Sequence, residues 1–100
     1  MINDFKTIIK KRIAIHPEYD YGIEQCWKEE LLLVKENPDE ALHFINEEAT
    51  DIEVYWFSEV LCEIYDATLD SRFIKAFENR ANQMNDAEMK RSILQEINHV

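Results

Sequence analysis

Apolar residues recur along the whole chain at the three- and four-residue spacing of amphipathic helices, and this period predicts an all-α protein. The single glycine and the two prolines agree, because sandwiches and barrels need many glycine- and proline-rich turns. We predict six short helices. They cover residues 3–15, 20–36, 38–48 and 51–67, followed by one that begins at about residue 71 and one that begins after residue 85.

Polar residues at the expected helix starts set these boundaries. Thr50-Asp51-Ile52-Glu53 has the spacing of a capping box, in which the first and last residues satisfy each other's free amide groups. Asn37 followed by Pro38 is typical of an N-cap and a first helical residue. The N-caps predicted for the last two helices are Asp70 or Ser71, and Asn85.

The length of the chain predicts one helical domain spanning residues 1–100. Short connections between helices imply antiparallel neighbours. We therefore expect a compact antiparallel bundle, or a stack of helical hairpins, of about five to six short helices, and the sequence does not choose between the two. Because the apolar stripe of the last helix reaches Val100, we expect the natural chain to continue.

The helix over residues 51–67 has the widest apolar surface. At about 100° per residue its apolar side chains fill roughly 220° of the circumference, which predicts a central helix contacted on several sides. Trp56 and Phe57 are assigned to the core. Tyr55 falls on the polar arc, where it is either an exposed anchor for a partner or is covered by the short third helix or the last helix.

Charge is distributed unevenly around the net value of −10. Residues 1–15 carry a net charge of +3, residues 16–68 carry −13, and the remainder is neutral. An acidic surface repels nucleic acid and anionic lipid and attracts basic proteins, although acidity also serves solubility alone. If the middle helices are adjacent, their acids form one continuous negative face for a cationic partner. The candidate partner-binding residues are Tyr55, Glu59, Asp66, Asp51, Glu63, Glu30, Glu47 and Glu48.

Glu30 is the anomaly in this set, because it falls within the apolar arc of the helix over residues 20–36. A carboxylate in such a place must be paired, hydrogen-bonded or protonated. One hypothesis is a structural pair with Arg12, Lys10 or a tyrosine hydroxyl. The other is that Glu30 lies in a groove open to a partner's lysine or arginine. Glu63 poses a milder version of the same question.

Catalytic and metal-binding patterns are weak. Glu40-Ala41-Leu42-His43 and Glu96-Ile97-Asn98-His99 repeat the E-x-x-H spacing of di-iron bundles, but both pairs lie off the predicted apolar stripes. The sequence has no glycine-rich phosphate loop, and neither cysteine has a histidine nearby in sequence that could activate it. We therefore expect no enzymatic activity, no cofactor and no metal.

Cellular location is inferred from the cysteines and from the absence of long apolar runs. Cys26 and Cys62 are too few for a disulfide framework, so we expect free thiols in a reducing compartment. The sequence has no signal-peptide core and no apolar run of about 18 residues that could span a bilayer. These features predict a cytoplasmic protein that is not embedded in a membrane.

Three segments have distinctive patterns: ALxFI at Ala41–Ile45, T-D-x-E-x-x-W-x-S-E-V at Thr50–Val60, and T-x-D-S-R-F-I at Thr68–Ile74. Together they resemble a family of small acidic immunity proteins from bacterial polymorphic-toxin and contact-dependent growth inhibition systems. The resemblance implies a non-enzymatic protein that binds and blocks one cognate toxin, often a basic nuclease. It implies no particular binding residue. The acidic charge separately predicts no direct contact with nucleic acid. The alternative is an acidic helical adaptor or scaffold protein for a basic partner that is not toxic.

Overall fold

Helices account for nearly all of the computed structural model, which describes residues 2–100 and contains no strand within them. The α-helices are α1 (Ile2–Ala14), α2 (Asp20–Glu36), α3 (Pro38–His43), α4 (Asp51–Phe57), α5 (Leu61–Thr68), α6 (Ser71–Gln83) and α7 (Ala87–Asn98). A π-helical turn, Phe44–Glu48, extends α3, and a 3-10 turn, Ser58–Val60, joins α4 to α5. The predicted compact all-α bundle is confirmed. No helix in residues 2–100 combines the length and the apolar character that crossing a bilayer requires.

Local capping explains where three of these helices begin. At α4 the Thr50 hydroxyl accepts a hydrogen bond from the Glu53 amide at 3.2 Å, and the Thr50 amide donates to Glu53 Oε1 at 2.8 Å. The predicted capping box is therefore confirmed. Asp70 caps α6 as expected. The predicted Asn85 cap is wrong, because the carboxylate of Asp86 accepts hydrogen bonds from two amide groups in the first turn of α7.

Asn37 also departs from its predicted role. Pro38 is the first residue of α3 as expected, but Asn37 Nδ2 donates to the Leu33 carbonyl at 3.1 Å. Two helices meet at this residue, and its side chain satisfies the C-terminus of α2 rather than the N-terminus of α3.

Removing the capping box should destabilise the protein modestly. Thr50→Ala deletes the hydroxyl that accepts from the Glu53 amide, and the loss of such a cap costs about 1 kcal/mol. Thr50→Ser keeps the hydroxyl and is the matched control, expected within about 0.5 kcal/mol of the wild type. Urea unfolding followed by circular dichroism measures both free energies. Equal losses in the two variants would assign the effect to the threonine methyl group instead.

Two irregular turns interrupt helices that the sequence predicts as continuous. Arg80 is 9% exposed and supports the π turn, because one of its nitrogens donates to the Ile45 carbonyl at 2.6 Å and another to Asp51 at 3.0 Å. The 3-10 turn advances about 120° per residue rather than about 100°. It therefore rotates the side chains that follow it relative to those of α4.

Four phenylalanines from α1, the π turn, α4 and α6 form the centre of the core. Phe5 stacks on Phe44 at a centroid distance of 5.2 Å. Phe57 makes tilted or edge contacts with both of these rings and with Phe77, at 5.9 to 6.1 Å. The α4–α5 segment is contacted by α1, α2, α6 and α7, so the predicted central helix is confirmed. Phe57 is buried as predicted, whereas Trp56 is only half-buried.

Candidate functional site

A charged cluster lies between α1, α2 and the 3-10 turn. The Arg12 guanidinium donates two hydrogen bonds to the Glu59 carboxylate, from Nε to Oε2 at 3.0 Å and from Nη2 to Oε1 at 2.7 Å. Trp27 donates its indole N–H to Glu59 Oε2 at 3.1 Å. The Arg12 guanidinium also lies 5.0 Å from the centroid of the Trp56 ring, within the range of a cation–π interaction. We call Arg12, Trp27, Glu30, Trp56 and Glu59 the Arg12 cluster.

Glu30 is the most deeply buried carboxyl of the Arg12 cluster. It is 2% exposed, and within residues 2–100 neither of its carboxyl oxygens has a hydrogen-bond partner. Burial, followed by the negative charge of Glu59, raises the pKa of Glu30 to about 8, against the opposing effect of Arg12. The carboxyl is therefore mainly protonated at neutral pH, which leaves the cluster with one cation and one anion.

Neither sequence-based hypothesis for Glu30 is correct. It does not lie in a groove open to a partner, because it is buried. It is not hydrogen-bonded to Arg12, Lys10 or a tyrosine either, since its oxygens have no partner within residues 2–100 and the Arg12 guanidinium is bound to Glu59. Among the three options for a carboxyl on an apolar arc, the burial of Glu30, its unpartnered oxygens and its raised pKa favour the protonated one.

Glu59 has a different environment from the one that the helical pattern predicts. Its side chain is 26% exposed and accepts three hydrogen bonds, so it is not a free surface carboxylate. Its exposed edge faces a cleft of about 220 Å³ between the α4–α5 segment and α7. The residues that line this Glu59 cleft are Tyr55, Trp56, Ser58, Glu59, Ser92 and Glu96.

Tyr55 forms one wall of the Glu59 cleft. It is half-buried, and its ring meets Trp56 edge-on at a centroid distance of 5.8 Å. Ser92 and Glu96 of α7 line the same cleft, so the last helix covers part of this arc. The position of Tyr55 is intermediate between the two hypotheses, since it is neither a fully exposed anchor nor a core residue.

A second cleft, of about 200 Å³, lies between α2 and the start of α5. Its exposed lining is almost entirely apolar, although two glutamates and one lysine contribute to it. The residues that line this Trp27 cleft are Glu24, Trp27, Lys28, Leu31, Val60 and Glu63. Trp27 therefore has two roles. Its indole N–H donates to Glu59 within the Arg12 cluster, and its side chain also lines the apolar Trp27 cleft.

Carboxylates without an ion-pair partner in residues 2–100 border these clefts or lie one helical turn away. Glu24, Glu63 and Asp66 are exposed, and Glu96 is half-buried. Burial and then the charges of Glu96, Glu63 and Asp66 raise the pKa of the Cys62 thiol, so all three carboxylates act on this one sulfur. We call Glu24, Glu63, Asp66 and Glu96 the acidic face.

The remaining predicted residues form a separate group. Glu47, Glu48 and Asp51 precede or begin α4, whereas Glu63 and Asp66 lie in α5. Glu63 lies twelve residues after Asp51, which is roughly 18 Å along the α4–α5 segment at about 1.5 Å per residue. Asp51 is also ion-paired with Arg80 at 3.0 Å, and a carboxylate oxygen of Glu48 lies 3.4 Å from His43 Nε2. The structure thus divides the predicted continuous negative face into two parts.

Comparison with known proteins gives no match that bears on this site. No known protein family matches the chain, and no curated protein or solved structure does so either. The resemblance to immunity proteins therefore stays a prediction. The Arg12 cluster, the two clefts and the acidic face are the structural observations on which a function can be proposed.

Sequence reasoning missed Trp27, Ser92 and Glu96 as site residues. The apolar stripe places Trp27 in the core, although its position three residues before Glu30 puts both on the same face of α2 and was a usable signal. Ser92 and Glu96 share a face of α7 in the same way. Nothing in the sequence shows which helix that face meets.

The histidines and cysteines are the side chains best suited to metal or thiol chemistry. Within residues 2–100 no group of three or more histidine, cysteine, aspartate or glutamate side chains is arranged to hold a metal ion. In the two E-x-x-H segments, His43 pairs with Glu48, and His99 Nδ1 lies 3.0 Å from the Gln95 carbonyl. Both cysteines are free, as predicted.

Proposed function

We propose that the protein is an immunity protein that binds and neutralises a cognate bacterial toxin domain with a basic, nuclease-type surface, in the cytoplasm of the cell that it protects. The observation that supports this proposal best is the acidic face beside the Trp27 and Glu59 clefts. Tight protein interfaces have large aromatic anchors surrounded by a polar rim. Here three aromatic side chains line the clefts, and the acidic face surrounds them with carboxylates that lack partners within residues 2–100.

A nuclease is a suitable target for such a surface, because its active site is shaped and charged to hold phosphates. Carboxylates can occupy phosphate positions, where they accept the same charge-assisted hydrogen bonds. Opposite charge also speeds the encounter of two proteins, and buried charge pairs across an interface can couple by several kcal/mol. Three of the four residues of the acidic face, Glu24, Glu63 and Asp66, lie in the acidic middle of the chain.

A pull-down from the native host tests this function. The tagged protein is incubated with lysate at low salt, and bound proteins are eluted with a salt gradient and identified by mass. The captured partner is then expressed alone and together with this protein while growth is followed. Growth arrest by the partner alone, and its reversal on co-expression, would support the proposal. A basic but harmless partner would support the adaptor alternative.

Charge reversal on the acidic face should weaken neutralisation. Both side chains in Glu63→Lys/Asp66→Lys are exposed and lack ion-pair partners within residues 2–100, so the fold should tolerate the change. Like charges would then face the partner, and we expect affinity to fall by at least about tenfold. Growth protection and surface plasmon resonance at low and physiological salt measure the effect.

The matched control is Glu47→Lys/Glu78→Lys, which makes the same change in net charge at exposed positions away from α5. We expect it to retain protection, with a smaller effect on the association rate alone. Equal loss of affinity in both double variants would show that net charge, and not the acidic face, determines binding.

A further inference from the structure

We propose that the Glu59 cleft receives one arginine side chain of the partner, and that Arg12 then turns from Glu59 to Glu30. This inference rests on the proposed function and specifies which chemical group of the partner the cleft binds. It would make partner binding release one proton, because Glu30 becomes a carboxylate when Arg12 pairs with it.

The composition of the Glu59 cleft suits a guanidinium group. Its volume of about 220 Å³ corresponds to roughly seven water molecules at about 30 Å³ each, which is enough for one long side chain. Glu59 and Glu96 supply two carboxylates, and Tyr55 and Trp56 supply aromatic walls. Arginine uses both features, since its planar fork binds carboxylates bidentately and its flat face stacks on aromatic rings.

Glu30 is the independent observation that points to a second partner for Arg12. It is 2% exposed, both of its oxygens lack partners within residues 2–100, and it lies close enough to Arg12 and Glu59 for their charges to act on it. A buried carboxyl without a hydrogen bond is costly. In the free protein the protonated Glu30 balances the cluster at one cation and one anion, and a second cation at Glu59 would let Arg12 pair with an ionised Glu30.

The charges balance before and after the exchange. In the free protein Arg12 and Glu59 form the ion pair, and Glu30 carries a proton. In the complex the partner's arginine pairs with Glu59, Arg12 pairs with Glu30, and the Glu30 proton passes to solvent. Glu29 of α2 is the other charged group that acts on Glu30, and Lys11 of α1 lies 3.5 Å from Glu29. The Cys26 thiol of α2 is in turn affected by the charge of Glu30.

The exchange predicts binding that tightens as pH rises. Below the pKa of Glu30 in the free protein, binding must remove a proton, so each pH unit favours the complex by up to about tenfold. Above that pKa the proton is already lost and the affinity levels off. A protein in which Glu30 cannot ionise should bind with an affinity that does not change with pH over this range.

A capped tripeptide tests the cleft without the natural partner. Acetyl-Ala-Arg-Ala-amide is titrated at millimolar concentrations into 15N-labelled protein at about pH 6.5 and about pH 8.5, with the citrulline peptide as the uncharged control. We expect saturable shifts at the Trp27 and Trp56 indole N–H groups and at Ser92 with the arginine peptide only. The affinity at the higher pH should be at least about threefold greater.

Two variants test which carboxyl group causes the pH dependence and which one binds the arginine peptide. Glu30→Gln should remove the pH dependence, and Glu96→Gln, on the other wall, should weaken binding at both pH values while leaving the fold intact. No saturable shift at the two indole groups, equal binding of the citrulline peptide, or unchanged pH dependence in Glu30→Gln would overturn the inference. The growth assay tests the proposed function separately. If Glu30→Gln still protects cells but its peptide binding keeps the wild-type pH dependence, the exchange is rejected and the proposed function is retained.

Discussion

Replacing Glu30 by glutamine is expected to stabilise the protein at alkaline pH. The pKa of Glu30 is raised to about 8 in the folded protein, from 4.5. Between these values the unfolded chain loses its proton while the folded protein keeps it, so wild-type stability falls as pH rises from about 4.5 to about 8. At about 1.4 kcal/mol per pKa unit the fall is roughly 3–5 kcal/mol, and Glu30→Gln should not show it.

Urea unfolding of both proteins between about pH 5 and about pH 9 measures this difference. Near pH 5 the two stabilities should agree within about 1 kcal/mol, because a neutral amide replaces a neutral carboxyl. The control is Glu29→Gln, which removes the adjacent, exposed carboxylate and should leave the pH slope close to that of the wild type. Parallel pH profiles for wild type and Glu30→Gln would show that Glu30 ionises freely in the folded protein.

Arg12→Met should destabilise the protein by about 3–5 kcal/mol at neutral pH, the usual cost of removing one partner from a buried ion pair. Arg12 is 8% exposed and provides two of the three hydrogen bonds to Glu59. Its loss leaves the Glu59 carboxylate with only the Trp27 indole N–H and removes the cation above the Trp56 ring. Methionine keeps much of the aliphatic volume, so the change isolates the charge.

Two further variants separate charge from geometry at this position. Arg12→Lys keeps the charge but not the planar fork, and we expect an intermediate loss. Adding Glu59→Gln to Arg12→Met removes the uncompensated carboxylate and should recover part of the stability, which a double-mutant cycle quantifies. Additive losses in that cycle would mean that Arg12 and Glu59 are not coupled, in contradiction to the bidentate pair.

The helix content and most helix starts could be predicted from the sequence because their causes are local. The Thr50–Glu53 capping box and the Asp70 cap depend on residues at most three positions apart. Asn85 and Asp86 are both good caps, and the sequence does not decide between neighbours of equal propensity. Asn37 occupies the predicted N-cap position of α3, but its side-chain amide donates to the Leu33 carbonyl of the preceding helix and makes no capping hydrogen bond to α3.

The environment of Glu59 could not be predicted, because a helical projection at constant angle fails across the 3-10 turn. Glu59 is the second of the three residues in this turn, so at about 120° rather than about 100° per residue its direction deviates by roughly 40°. This rotation is large enough to move Glu59 from the expected polar arc toward Arg12 and Trp27. Tyr55 precedes the turn, and its position on the outer arc was closer to the prediction.

Glu30 shows a different limit. Its place on an apolar arc is visible in the sequence, and the requirement that it be paired, hydrogen-bonded or protonated follows from that place alone. The choice among these outcomes depends on side chains from α1 and the 3-10 turn, many residues away in the chain. The division of the acidic residues into two groups also depends on contacts between distant parts of the chain, because it is set by the helices that pack against α5 and α7.

The position of Cys62 has a consequence for the chemical durability of the molecule. Oxidants and electrophiles attack the thiolate form of cysteine, and the surroundings of Cys62 disfavour that form through burial and through the charges of Glu96, Glu63 and Asp66. The carboxylates that we propose to attract a basic partner therefore also protect the neighbouring sulfur. Reagents such as iodoacetamide should modify this thiol slowly at neutral pH, and a charge reversal at Glu63 should make it more reactive.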